Sequence, residues 1–192
     1  MKKRKKVVVF EGIDGSGKST QARLLYFALK KRNISADLYH FPSEGIIGKF
    51  VRSLLEKEEF DTLDSKSRAL LTASDFYSQY HRSNNDSDMI IFDRYFHSSY
   101  ASNDALDEEW IKAIHQYAPD PDIVFFLDGE PKSIKERDGI DSGAKNEARQ
   151  KMLSIRYKKI FENIPNITIN ANKDIETTHQ EVLQTVIKKL NI

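Results

Sequence analysis

The chain has 192 residues, 39% hydrophobic and 31% charged, the profile of one globular domain, 1–192, with a single core. Cys is 0, which excludes disulfides, thiolate metal sites and cysteine nucleophiles and makes a reducing cytoplasm the expected compartment. Lys+Arg 30 against Asp+Glu 29 leaves a net charge of +1, so no global field draws the chain to nucleic acid or lipid, and an acidic ligand must be met locally.

No apolar run approaches the ~20 residues of a membrane span, and no signal peptide is read. Neither nucleic acid nor a membrane is therefore an expected partner. The basic run from Lys2 to Lys6 abuts an apolar strand and reads as a solubilising leader.

In chain order, Val7 to Phe10 is a β-branched run ended by Gly12, the pattern of a strand buried on both faces. Lys18 to Arg32 then carries Leu25, Ala28 and Leu29 on one helical stripe. Between them, Gly12-Ile13-Asp14-Gly15-Ser16-Gly17-Lys18-Ser19 matches G-x-x-x-x-G-K-[ST] in the strand–turn–helix context that motif requires. Glycines let successive backbone N–H groups turn inward around phosphate oxygens, and the helix N-terminus adds to that field. Lys18 would neutralise the β- and γ-phosphates of a nucleotide, Ser19 would ligate Mg²⁺, and Thr20 could reach the α-phosphate.

Further strands are expected at Ala36 to Phe41, Met89 to Phe92, Ile123 to Leu127 and Ile167 to Ile169. Helices are expected at Ile46 to Leu55, Ser65 to His81, Glu108 to Tyr117, Ser133 to Glu136, Asn146 to Phe161 and Asp174 to Leu190. Strands alternating with helices predict an α/β, three-layer P-loop NTPase fold: a five-stranded parallel sheet flanked by helices, with ligands at the strands' carboxyl ends. The polar stretch Asp138 to Asn146 is the candidate mobile loop.

Asp93-Arg94-Tyr95 follows the third strand and so lies at the same sheet edge as the cradle. Arg94 is suited to grip a phosphate through two oxygens, and Asp93 to hold water on Mg²⁺. A GTPase is discounted, because Asn172-Lys173-Asp174 lacks the residue that a base-reading Asn-Lys-x-Asp needs. His40, His81, His97 and His115 have no ligand spacing and read as structural. Trp110 reads as core or dimer interface.

With these residues in hand, the sequence resembles the thymidylate kinase family of nucleoside-monophosphate kinases. The matching stretches are Phe10 to Leu25, Phe41-Pro42, Ile47-Gly48-Lys49, Asp93-Arg94-Tyr95 with Ser98, and Pro121-Asp122 through Leu127-Asp128. The resemblance implies transfer of the γ-phosphoryl of ATP to the 5′-phosphate of dTMP, giving dTDP and ADP, by a homodimer with a short lid at about 138–149. By the same resemblance Asp14 would face the acceptor sugar and Arg94 would bridge the phosphates. Phe41, Pro42, Tyr95 and Ser98 would belong to the acceptor site, while Asn172 and Lys173 would lie along the adenine.

The chain departs from the family pattern on the acceptor side. Where members carry a base-stacking Phe and a base-bonding Arg, it has Thr72 and Phe76, with Tyr80 or Arg82 as substitutes for the lost donor. Where members place an Arg after Phe-Pro, it has Ser43 and Glu44, with Arg52 as the replacement. Ser102 and Asn103 stand where a Tyr or Phe is usual. The cradle holds no basic residue between Gly12 and Gly17, so the catalytic cation is expected from the lid, from Arg149 first and then Arg137, with Lys145 the remaining basic residue there. Two other readings stay open: a deoxynucleoside kinase with Glu11 or Asp93 as general base, and a nucleotide-binding module without acceptor turnover.

Overall fold

The computed structural model describes residues 4–80, 87–102, 107–129 and 144–192, the last segment as backbone alone over 144–146. Five strands, β1 Lys6–Glu11, β2 Ala36–His40, β3 Met89–Asp93, β4 Ile123–Asp128 and β5 Ile167–Asn170, form one parallel sheet in the order β2-β3-β1-β4-β5. The strand that feeds the cradle is thus the central one. Its neighbours β3 and β4 end level with it, Phe10 lying opposite both Asp93 and Phe125.

Alternate residues along each strand point to opposite faces, and both faces are covered. On one side Val8, Phe10, Ile91 and Phe125 pack with Leu25 and Leu29 of helix α1, Lys18–Lys31, and with Val182 and Val186 of helix α7, Ile175–Leu190. On the other, Val7, Val9, Phe92 and Phe126 pack with Phe76 of helix α3, Ser65–Tyr80, and with Tyr157 and Phe161 of helix α6, Ala144–Asn163. This is why the strand signals are unbroken apolar runs and not alternating ones.

The remaining helices are α2 Ile46–Glu56, α4 His97–Ser102 and α5 Glu108–Ile114, with a 3-10 turn at Phe60–Thr62. Among the described residues the expected strands and helices form, with shifted ends and additions. α5 stops at Ile114, short of Tyr117, where the chain tightens into i→i−3 turns, the Gln116 N–H bonding to Ala113 and the Ala118 N–H to His115. α7 begins after Asp174, whose side chain accepts from the Thr177 N–H at 2.9 Å as an N-cap. α4 and the 3-10 turn were not expected, since elements this short show no period. The stretch expected to be a mobile loop or lid is helical from Ala144 on, in the first turns of α6. The rest of that stretch, the helix expected at Ser133 to Glu136, and Arg82, Asn103 and Arg137 lie outside the described residues, as does the side chain of Lys145. Among the described residues, no helix is long and apolar enough to cross a membrane.

Candidate active site

The cradle bends as its glycines require. Gly12, Gly15 and Gly17 have φ of 145°, 73° and 91°, values L side chains rarely adopt. At Gly12 space forbids a side chain as well, because a Cβ would lie 2.6 Å from the Leu127 carbonyl oxygen of β4. Gly17 is the N-cap of α1, so the first N–H groups of that helix, including those of Ser19 and Thr20, have no capping side chain. Ser19 and Thr20 are exposed, Ile13 and Ser16 buried.

Lys18 is 4% exposed, and its ammonium donates to the Ile13 carbonyl at 2.5 Å, with the Ser16 hydroxyl at 3.5 Å. Burial, aided by the Arg94 charge, pulls its pKa down to about 7. Asp14 stands at the cradle's rim, held by an ion pair with Arg94 and by Gln150 of α6 from two sides: the Asp14 N–H donates to Oε1 at 3.1 Å and Nε2 donates to the carboxylate at 2.8 Å. The Arg94 charge holds the Asp14 carboxyl down at about 2.

Arg94 follows β3 directly, its N–H bonded to the Phe10 carbonyl at 3.0 Å and its φ at 75°. Left-handed backbone at such a residue costs on the order of 1–3 kcal/mol and persists only where the surroundings fix it. Burial works against the Arg94 charge, but the carboxylates of Asp14, Glu11 and Asp93 together outweigh it and raise its pKa.

Asp93 is 7% exposed, and its Oδ1 has no hydrogen-bond partner among the described residues. A buried carboxylate oxygen with open lone pairs, close enough to Lys18 of the cradle to act on its charge, fits a Mg²⁺ ion, which keeps several of its waters and takes few protein ligands. Glu11 is different. Its carboxylate is saturated by the Tyr95 N–H at 2.8 Å, the Ser98 N–H and hydroxyl at 3.2 and 2.8 Å, and the Tyr157 hydroxyl at 3.1 Å. It holds the turn after β3 in place and has no lone pair left for a base's work. Tyr157 itself is kept un-ionised by burial and by Glu11.

Asp14 and Arg94 also line a cavity of about 290 Å³ between α2, α3, α4 and α6. Of the residues expected at an acceptor site, Phe41, Pro42, Thr72, Phe76, Tyr95, Ser98 and Ser102 line it too, and so does Arg149. Phe76 is both wall and core: 4% exposed, it stands against the rings of Phe41, Phe92, Tyr95 and Tyr80. Tyr80 packs behind it and does not line the cavity.

Arg52 lies beside the cavity and not in its lining, donating to Glu44 at 2.8 Å and to the Pro42 carbonyl at 2.8 Å. Asn172 and Lys173 are exposed on the turn after β5, where Lys173 pairs with Glu181 at 2.6 Å. That segment sits by the start of α1, since Gln21 donates to the Ile175 carbonyl at 3.0 Å.

The sequence reading missed four contributors. Asp75 accepts from the Ser43 N–H and hydroxyl at 2.7 and 2.5 Å and so fixes the loop that carries Phe41 and Pro42. Gln150 clasps Asp14. Arg68 lines the cavity, and Asp61 joins Arg68 to Arg149 at 3.1 and 3.0 Å. Arg68 had a signal, since it precedes Thr72 and Phe76 by one and two turns of the same helical stripe. His115, read as structural, is buried at the cavity's edge, where burial and then His97 pull its pKa down to about 4 and keep it neutral. Trp110 lies under the Lys66 ammonium at 6.0 Å.

A nucleotide cradle therefore opens through Asp14 and Arg94 onto a second, largely apolar cavity. The family model described as thymidylate kinase matches residues 10–182. A probable thymidylate kinase of Methanobrevibacter smithii is 31% identical over 186 residues, covering 96% of each chain. One of Thermococcus onnurineus is 34% identical over 200 residues, covering 95% of this chain and 98% of the relative. One of Methanocaldococcus jannaschii is 32% identical over 181 residues, covering 92% and 93%. With the family model running from Phe10 to Val182 and relatives more than 30% identical over nearly the whole chain, the chain belongs to the thymidylate kinase family.

Proposed function

We propose that this protein transfers the γ-phosphoryl group of ATP to the 5′-phosphate of dTMP, giving dTDP and ADP. The observation that carries the reading is that Asp14 and Arg94 belong at once to the cradle's rim and to the cavity wall, so a donor in one and an acceptor in the other meet end to end. An acceptor phosphate is already ionised at neutral pH, so positioning and charge neutralisation are the chemistry required. A base for a free sugar hydroxyl is not needed, and Glu11, one of the two candidates for it, is fully engaged.

In this reading the amides of 15–20 and the Lys18 ammonium hold the β- and γ-phosphates. Mg²⁺, when bound, neutralises developing charge on the phosphate oxygens. Ser19 would ligate it, and Asp93 would hold its water. Arg94 exchanges Asp14 for the acceptor and transferring phosphates, and its fixed backbone keeps the fork aimed at both. Asp14, released, turns to the acceptor sugar. Arg149, in the first turns of α6, supplies the further cation, with Arg137 as its alternative. Asn172 and Lys173 lie along the adenine, and Arg52 steadies Pro42 beside the acceptor.

The working form is a cytoplasmic homodimer, for which exposed Ile46 and Phe50 on α2 supply apolar surface. Incubation with Mg-ATP and, separately, thymidine, dTMP, dUMP, dCMP, dGMP and AMP tests the reading: ADP release with dTMP is expected. Release with thymidine and not with dTMP would replace the reading by a nucleoside kinase, and silence throughout by a binding module.

A further inference from the structure

One wall of the acceptor cavity is fastened to α3 by a single buried carboxylate. Phe41, Pro42, Val51 and Leu55 line that wall, the first two on the loop after β2 and the others on α2. Neither the loop nor α2 belongs to the sheet, so strand pairing does not set their place. Asp75 of α3, 2% exposed, reaches the loop through both of its oxygens: Oδ2 accepts from the Ser43 N–H at 2.7 Å and Oδ1 from the Ser43 hydroxyl at 2.5 Å. Hydrophobic contact is non-directional, whereas two bonds from one carboxylate to one residue fix position and orientation together.

The connection continues beyond Ser43. Its hydroxyl oxygen, while donating to Asp75, accepts from the Gly45 N–H at 3.0 Å, and Gly45 is the N-cap residue of α2, where no side chain caps the helix. Loop and helix also touch, because a Cβ at Gly48 would collide with the Ser43 carbonyl oxygen. Arg52, one turn further along α2, donates back to the Pro42 carbonyl at 2.8 Å. A hydroxyl that donates to a carboxylate is a stronger acceptor for its second partner, so the Asp75 carboxylate is felt at the head of α2.

We propose that Asp75 is a positioning residue for the acceptor: through Ser43 and Gly45 it holds Phe41, Pro42 and the head of α2 at the spacing from α3 that the acceptor nucleotide requires. The inference rests on the acceptor reading given above. The wall so held touches the bound acceptor and not the transferring group. Its contacts are the same in the ground state and the transition state, and their loss appears in KM for the acceptor and not in kcat. An amide cannot replace the carboxylate. In Asp75→Asn the one amide oxygen takes the Ser43 N–H, the NH₂ faces the Ser43 oxygen, and the hydroxyl proton is left without an acceptor.

Steady-state kinetics with dTMP and ATP on wild type, Asp75→Asn, Ser43→Ala and the double variant test this, with Val186→Ala, a core truncation on the opposite face of the sheet, as the stability control. KM for dTMP should rise roughly tenfold in Asp75→Asn and about two- to fivefold in Ser43→Ala, which keeps the N–H bond, with kcat and the KM for ATP within about threefold. The double variant should be no worse than Asp75→Asn, because removing the hydroxyl also removes the orphaned proton. Val186→Ala should lower stability and leave KM for dTMP unchanged. An unchanged KM for dTMP in either single variant, an equal rise in Val186→Ala, losses that multiply in the double variant, or a KM for ATP that rises in step overturns the proposal. Should Asp75→Asn not fold, Ser43→Ala decides by the same criteria. Wild type that phosphorylates dTMP keeps the acceptor reading whichever way the variants fall, and wild type that neither binds nor phosphorylates dTMP overturns both.

Discussion

The Lys18 ammonium donates to the carbonyl oxygen of Ile13, five residues back in its own loop, at 2.5 Å. The cradle thus uses its lysine to close itself, and the charge sits where burial holds its pKa at about 7 instead of the ordinary 10.5. In the proposed reading, phosphate oxygens arriving at the loop restore the favoured charged form.

Nucleotide binding should therefore take up protons. At pH 8 a group with a pKa of about 7 is mostly neutral, so binding of Mg-ATP should draw in close to one proton per site. Calorimetry in buffers of different ionisation enthalpy measures it. Lys18→Met should remove the uptake and abolish turnover, and a buffer-independent heat in wild type would contradict the shift.

The same depression has a sign in stability. Between about 7 and 10.5 the unfolded chain binds the Lys18 proton and the folded chain does not, so this group makes stability rise with pH across that window and costs most below it. Denaturant melts should show Lys18→Met more stable than wild type at pH 6, with the gap closing toward pH 10. A gap that widens with pH contradicts the assignment.

Glu11→Gln should destabilise the fold by about 1.5–3 kcal/mol. Four donors converge on the Glu11 carboxylate, and an amide offers one oxygen to them and turns an N–H₂ toward the rest. Urea unfolding measures the loss, and an unchanged midpoint would deny Glu11 its place in holding the turn after β3.

Phe76→Ala should cost about 3–5 kcal/mol, as for other buried aromatic truncations, and raise KM for the acceptor, because the ring is at once core and cavity wall. A drop in acceptor affinity with stability unchanged would make Phe76 a ligand contact alone.

Arg149→Ala should lower kcat by at least about a hundredfold while leaving ATP binding within about threefold, since a cation delivered to the transferring group acts mainly in the transition state. Single-turnover kinetics and equilibrium nucleotide binding separate the two effects, and unchanged turnover would assign Arg149 to its ion pair with Asp61 alone.

The sheet and the cradle were legible because both are written in contiguous residues: β-branched runs for strands buried on two faces, and a glycine pattern between strand and helix. Asp93 and Arg94 were legible for the same reason, one strand end away. What escaped is what depends on pairing across the chain. Asp61 meets Arg149 from far along the sequence, Gln150 reaches Asp14 from α6, and Asp75 reaches from α3 to Ser43 in the loop before α2. Arg52 shows the converse: a basic residue at the right distance in sequence, engaged instead by Glu44 and the Pro42 carbonyl. A single sequence carries periodicity and turn chemistry but no record of which distant side chains meet.

The most direct test of phosphoryl transfer between the two cavities follows the label of γ-³²P-ATP in the presence of Mg²⁺ and dTMP. The account predicts label in dTDP, on its β-phosphorus, formed at the rate ADP appears and absent with Lys18→Met. Label found only in inorganic phosphate, or left in ATP with dTMP untouched, would contradict it.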